Sequence, residues 1–82
     1  MFHTYILQSL ISNRYYMGSC ANIEDRLHKH NNGEVESTKA FMPWKLVYRE
    51  SFQTRREAVK RERQLKSWKS QKALEKLINK HR

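Results

Sequence analysis

The apolar positions of this chain alternate at first and later recur every three to four residues, so the pattern changes character along its length. From Phe2 to Leu10 the alternation is imperfect, but Tyr5, Ile6 and Leu7 are β-formers and the segment predicts a strand. Ser12-Asn13 is a turn signal, and Arg14-Tyr15-Tyr16-Met17 reads as a second strand that closes a hairpin and ends at Gly18. Asn22 is a candidate N-cap, with Glu24 and Asp25 in the first turn where negative charge is favoured. That helix runs from about Ile23 to Asn31 and stops before Gly33. Glu34 to Met42 has no period and reads as a loop. Pro43 then precedes a third strand, Trp44 to Tyr48 or as far as Phe52.

Thr54 and Glu57 form a T-x-x-E capping box, which starts a helix that continues to about Trp68. Ser70 caps a last helix from Gln71 to Asn79, with Ala73, Leu74, Leu77 and Ile78 as its apolar stripe. The order β-β-α-β-α-α predicts an α+β fold, a small antiparallel sheet covered by helices. With 82 residues there is room for one domain, expected to span 1–82.

Charge adds a partner to this picture. The chain has 17 Lys and Arg against 8 Asp and Glu, a formal charge of +9. Nucleic acid is the first partner such a balance suggests, because phosphates neutralised by Lys and Arg release counterions. A membrane surface is the second, and solubility alone is the plain alternative. Cys20 is the single cysteine, so neither an internal disulfide nor a paired-cysteine metal site can form. The first residues lack the signal-peptide pattern and no stretch reaches transmembrane length, which makes cytoplasmic residence the default expectation.

Four groups of residues could carry chemistry. Tyr5 and Tyr16 sit on neighbouring strands, where antiparallel pairing can bring two phenols together. A phenol accepts a proton only if nearby cations lower its pKa; otherwise the pair is ordinary sheet packing. Arg26 and His30 are four apart and share a helix face beside Ile23 and Leu27, which aims both at the sheet. An inward guanidinium can clamp a phosphoryl oxygen and an imidazole can relay a proton. A snorkelling arginine with a partly buried histidine would show the same spacing.

Glu62 shares the spacing i, i+4, i+7 with Ala58 and Leu65, so it points into the apolar face of its helix, whereas Glu57 is already explained by the cap. A carboxylate there needs a metal ion or a cationic partner such as Arg26. Lys60, Arg61, Arg63, Lys66, Lys69, Lys72, Lys76, Lys80 and Arg82 make the last third of the chain basic. Lys39, Arg61, Lys66 and Lys69 are the expected nucleic-acid contacts. Trp68 among these cations is either a base-stacking residue or core. Gly-rich phosphate loops, Ser-His-Asp sets and H-E-x-x-H are absent.

Taken in order, these residues resemble the GIY-YIG nuclease family, its small single-domain bacterial members in particular. The name motif is similar to Thr4-Tyr5-Ile6 and Tyr16-Met17-Gly18, with Thr4 and Met17 departing from it. Arg26 and His30 resemble the family's arginine with a histidine or tyrosine four residues on. Ala58 and Glu62 resemble its small residue followed by a metal-binding glutamate. The resemblance covers nearly the whole chain and implies a three-stranded antiparallel sheet with flanking helices. It also implies hydrolysis of a phosphodiester by in-line water. Glu62 would hold Mg²⁺ or Mn²⁺, Arg26 would bind a non-bridging oxygen, and Tyr5, assisted by His30, would take the water's proton or position the water. Tyr16 would bond the phosphate or the water. Many active members carry an asparagine beyond the glutamate helix; Asn79 is the asparagine downstream of Glu62 here.

The expected partner is nucleic acid, DNA in the first place, and no membrane. A lone domain offers little surface for base readout, so sequence selectivity should be low, and a protein partner could supply specificity. The alternative is a nucleic-acid-binding module on the same fold that has lost catalysis. A membrane-surface protein using its basic C-terminal helices is a third class, weakened by the few large apolar residues there.

Overall fold

Residues Phe2–Ser9 (β1), Tyr15–Cys20 (β2) and Trp44–Phe52 (β3) form one antiparallel sheet in the order β2-β1-β3. Helices follow at Ile23–Asn31 (α1), Arg55–Ser67 (α2) and Gln71–Lys80 (α3), so the α+β order read from the sequence is the order found. The computed structural model describes residues 1–80; Arg82, counted above among the basic residues, lies outside them.

The central strand is apolar on both sides. Thr4, Tyr5, Ile6 and Leu7 are all buried, and their alternation divides the interior into two layers. Tyr5 and Leu7 pack with Cys20, Ile23 and Trp44 beneath α1. Ile6 packs on the opposite face with Tyr48, Leu65, Leu74 and Ile78, beneath α2 and α3. Thr4 fastens the second layer by donating its hydroxyl to the carbonyl of Ala58 at 2.7 Å, inside the core.

A bulge in β3 serves both layers. Ile6 pairs with Tyr48 but Leu7 pairs with Leu46, which leaves Val47 as the extra residue. Without it Trp44, Leu46 and Tyr48 would share one face. With it Trp44 and Leu46 join the first layer, and Val47 and Tyr48 the second.

The helix ends follow their caps. Asn22 accepts from the Asp25 N–H at 3.0 Å, and Thr54 from the Glu57 N–H at 3.2 Å. Ser70 accepts from the Ala73 N–H, also at 3.2 Å. Gly33, just past α1, has φ +74°, the conformation that suits glycine after a helix. The stretch expected as an irregular loop contains a short 3₁₀ turn, Lys39–Phe41.

Gly18 is a correction. It does not end the second strand; it lies inside β2, opposite Tyr5, and the strand runs on to Cys20. A Cβ there would stand 2.5 Å from the Tyr5 phenol oxygen and 3.2 Å from a ring carbon of Tyr16. The residue is glycine because two phenols crowd its backbone, not because the chain turns.

Candidate active site

His30 is the fixed point of the site. It occupies the last turn of α1 and is completely buried. Its Nδ1 lies 2.7 Å from Thr38 Oγ1 and its Nε2 3.3 Å from the Tyr5 phenol oxygen. The Thr38 hydroxyl donates to the carbonyl of Val35 at 3.3 Å, so toward the ring it acts as acceptor. A proton on Nδ1, with Nε2 accepting from Tyr5, is the assignment that satisfies all of these bonds at once. Burial first, then the charge of Arg26, pushes the His30 pKa down, so the ring is neutral near pH 7.

Tyr5 is also buried, and its pKa is driven well above that of an ordinary phenol. Burial is the largest cause and the neighbouring Tyr16 the next; Arg26 opposes them with less effect. A phenol expected to accept a proton needs the opposite shift. The environment instead keeps Tyr5 protonated, as a hydrogen-bond donor to His30.

Tyr16 is the more accessible phenol, half-buried on β2. Its ring centre lies 6.4 Å from that of Tyr5, 4.8 Å from that of His30 and 6.4 Å from that of Trp44. Trp44 is itself tied down, its indole N–H donating to the Thr38 carbonyl at 2.9 Å. Asn31 holds the Trp44 backbone from both sides, accepting from its N–H and donating to its carbonyl. Among the described residues no buried side-chain nitrogen or oxygen lacks a partner, which favours one arrangement of this group.

Arg26 departs from the expected placement. It is exposed rather than set into the core edge, and it borders a shallow basin with Cys20, Asp25, Lys29 and Arg55. Its field still reaches inward, acting on Tyr5, Cys20 and His30. The Cys20 thiol is buried and its pKa raised, mainly by that burial, which suits a packing role.

Glu62 reaches the site from the other layer. One carboxylate oxygen accepts from the Ser19 hydroxyl at 2.7 Å and the other pairs with Lys66 Nζ at 2.7 Å. The cationic partner is thus Lys66, one turn along α2, and not Arg26. The same ammonium sits 5.9 Å from the Tyr16 ring centre, although Glu62 and Tyr16 belong to opposite faces of the sheet. The two faces can meet because β2 is an edge strand, and side chains from both sides come together around its open edge.

A cleft of about 340 Å³ opens there, with Arg14, Tyr16, Phe41, Lys66 and Lys69 in its walls. Of the four cations expected to bind nucleic acid, Lys66 and Lys69 line this cleft. Lys39 is exposed on the 3₁₀ turn, with its methylenes beside Gly33. Arg61 is occupied elsewhere: it pairs with Glu50 at 2.9 Å and lies over the Trp68 ring at 5.6 Å. Trp68 is part of the second core layer.

Glu62 is the candidate residue whose chemistry suits a divalent cation. Among the described residues no cluster of three or more His, Cys, Asp or Glu could cage a metal. Glu62 nevertheless keeps a partly exposed carboxylate that already holds a cation, the Lys66 ammonium. A hard ion such as Mg²⁺ commonly binds through one carboxylate, with water and substrate phosphate completing its shell.

Ser19 and Thr38 escaped the sequence reading. Each acts on a candidate residue distant in sequence, and a lone hydroxyl in a strand or loop carries no spacing signal. Asn79, in the last turn of α3, is exposed.

Comparison with known proteins agrees with the geometry. The model of the GIY-YIG catalytic domain matches residues 1–79. A UPF0213 protein of Staphylococcus saprophyticus is 48% identical over 65 residues, covering 78% of this chain and 78% of its own. A UPF0213 protein of Staphylococcus aureus is 40% identical over 60 residues, covering 72% of this chain and 73% of its own. No solved structure matches.

Proposed function

The chain belongs to the GIY-YIG family of nuclease domains, and on that premise we propose that it is a divalent-metal-dependent endonuclease acting on nucleic acid, DNA in the first place, as one domain over 1–82. What supports this reading is the Tyr5–His30 pair within the field of Arg26 on one face of the sheet, with Glu62, Ser19 and Lys66 brought beside Tyr16 at the open edge of β2.

Each group then has a task its surroundings allow. Arg26, exposed and permanently charged, binds a non-bridging oxygen as negative charge builds in the transition state. Tyr16, the phenol at the cleft, orients the attacking water. Tyr5 commits its proton to His30 and so fixes the floor on which Tyr16 rests. Glu62, aimed by Ser19, would hold the metal, and Lys66 would bind the phosphate backbone. The bound ion would stabilise the leaving oxygen and the extra charge on phosphorus. Low sequence selectivity, a protein partner that supplies specificity, and cytoplasmic residence belong to the same reading. No helix among the described residues is long and apolar enough to cross a membrane.

One observation favours a binding module without catalysis: both oxygens of Glu62 are already engaged. Nicking of supercoiled plasmid and cleavage of short duplexes, with and without Mg²⁺ or Mn²⁺, separates the two. Glu62→Ala and Arg26→Ala should each lose on the order of a hundredfold or more in rate. Metal-independent nicking, or equal rates in wild type and Glu62→Ala, rejects the metal role. Salt-sensitive binding with no cleavage supports the binding module.

A further inference from the structure

The turn between β1 and β2 holds two large apolar side chains out in water. Leu10 is 56% exposed and Ile11 63% exposed, while Ile6 and Leu7, just before them, are fully buried. A single exposed aliphatic residue is ordinary; two in succession on a projecting turn suggest a partner.

The turn is also braced. The Leu10 N–H donates to the Pro43 carbonyl at 2.9 Å and the Ile11 N–H to Ser9 Oγ at 3.2 Å. Ser9 Oγ in turn donates to the Phe41 carbonyl at 2.7 Å, and the Arg14 N–H to Ser12 Oγ at 3.2 Å. With its backbone pinned on both sides, the tip cannot readily fold back to cover its own apolar pair.

Charge indicates what the partner is. Residues 8–18 and 37–46 build the tip and the wall behind it; they include Arg14, Lys39 and Lys45, and no Asp or Glu. Asn13 and Arg14, next to the apolar pair, line the same cleft as Tyr16, Lys66 and Lys69. An apolar point in a basic surround suits a polyanion with a stacked apolar interior, which is duplex nucleic acid.

We propose that Leu10 and Ile11 form a wedge that enters a base step of duplex nucleic acid and delivers the adjoining strand to the cleft at Tyr16. This deepens the nuclease reading above and rests on it. Opening a stacked step costs energy, and least where stacking is already broken. The substrate class is therefore duplex with a bulge, mismatch or branch rather than continuous helix.

Short duplexes, one fully paired and one with a bulge beside a 2-aminopurine, test this without added metal and at fixed salt. Wild type should bind the bulged duplex on the order of tenfold more tightly and raise 2-aminopurine fluorescence as the base unstacks. The double substitution Leu10→Ser with Ile11→Ser should bring the affinity ratio to about one and abolish the rise. The pair Leu10→Met with Ile11→Met, which keeps apolar bulk, should restore both. An unchanged ratio in the serine variant, or binding by wild type with no fluorescence change, overturns the wedge and leaves the nuclease reading intact. A serine variant that turns a wild-type dimer into a monomer while keeping its preference also overturns it, and makes the tip a contact between copies. If wild type binds neither duplex, the nuclease reading fails first and the wedge with it.

Discussion

Replacing Gly18 by alanine adds one methyl group at the most crowded point of the sheet. The new Cβ would lie 2.5 Å from the Tyr5 phenol oxygen and 2.7 Å from the ring carbon bearing it. Tyr5 has nowhere to retreat, since it is 2% exposed and its hydroxyl is held by His30. In an uncrowded strand, alanine in place of glycine would stabilise by about 0.5–1 kcal/mol. Overpacking of a tight core costs about 1–3 kcal/mol, so here the sign reverses. With a urea slope of about 1 kcal/mol/M for a small protein, the unfolding midpoint of Gly18→Ala should fall by about 1–2 M. Tyr5→Phe in the same background removes the nearest atom but leaves the ring, so relief should be partial, with a coupling of at least about 0.5 kcal/mol in the double-mutant cycle. A midpoint that stays or rises in Gly18→Ala would refute the view that this glycine is kept for the phenols.

Three further predictions concern charge. Because the folded His30 pKa lies below the ordinary value of 6.5, the unfolded chain binds a proton there first as pH falls. Stability attributable to His30 is complete above pH 6.5 and declines below it until the folded pKa is reached. Urea unfolding at a series of pH values should show this slope in wild type and a shallower one in His30→Gln; equal slopes would contradict the assignment. Arg61→Ala should cost about 1 kcal/mol of stability through loss of the partly buried Glu50 pair and leave nucleic-acid affinity nearly unchanged. Lys69→Ala should do the reverse, weakening binding and lowering the salt slope by about one. Equal binding losses for the two would show that Arg61 leaves Glu50 when substrate arrives.

The three α-helices are visible in the sequence because the start of each is written locally. Asn22, Thr54 and Ser70 bind backbone groups a few residues away, and the apolar stripes behind them follow one period. Tyr5 and Tyr16 are legible as phenols on neighbouring strands, and His30 and Glu62 as polar residues that edge or enter an apolar helix face. Their surroundings were not legible. The raised pKa of Tyr5 depends on burial between a strand and a helix, and the tautomer of His30 on a threonine in an irregular loop. The pairing of Glu62 with Lys66 follows the i,i+4 spacing that the sequence carries, and only the layer that α2 covers shows that it prevails over Arg26. Gly18 was misjudged because a glycine after a strand pattern usually means a turn, and only the partner strand shows what crowds it.

The irregularity at Val47 makes one strand speak to two interiors. Before it, Trp44 and Leu46 support the aromatic floor under α1; after it, Tyr48 supports the packing under α2 and α3. Inserting or deleting a single residue in this stretch would turn the rest of the strand inside out, exchanging core positions for solvent ones along its length. The site can therefore drift by substitution, but the length of β3 is locked to the chemistry on both of its sides.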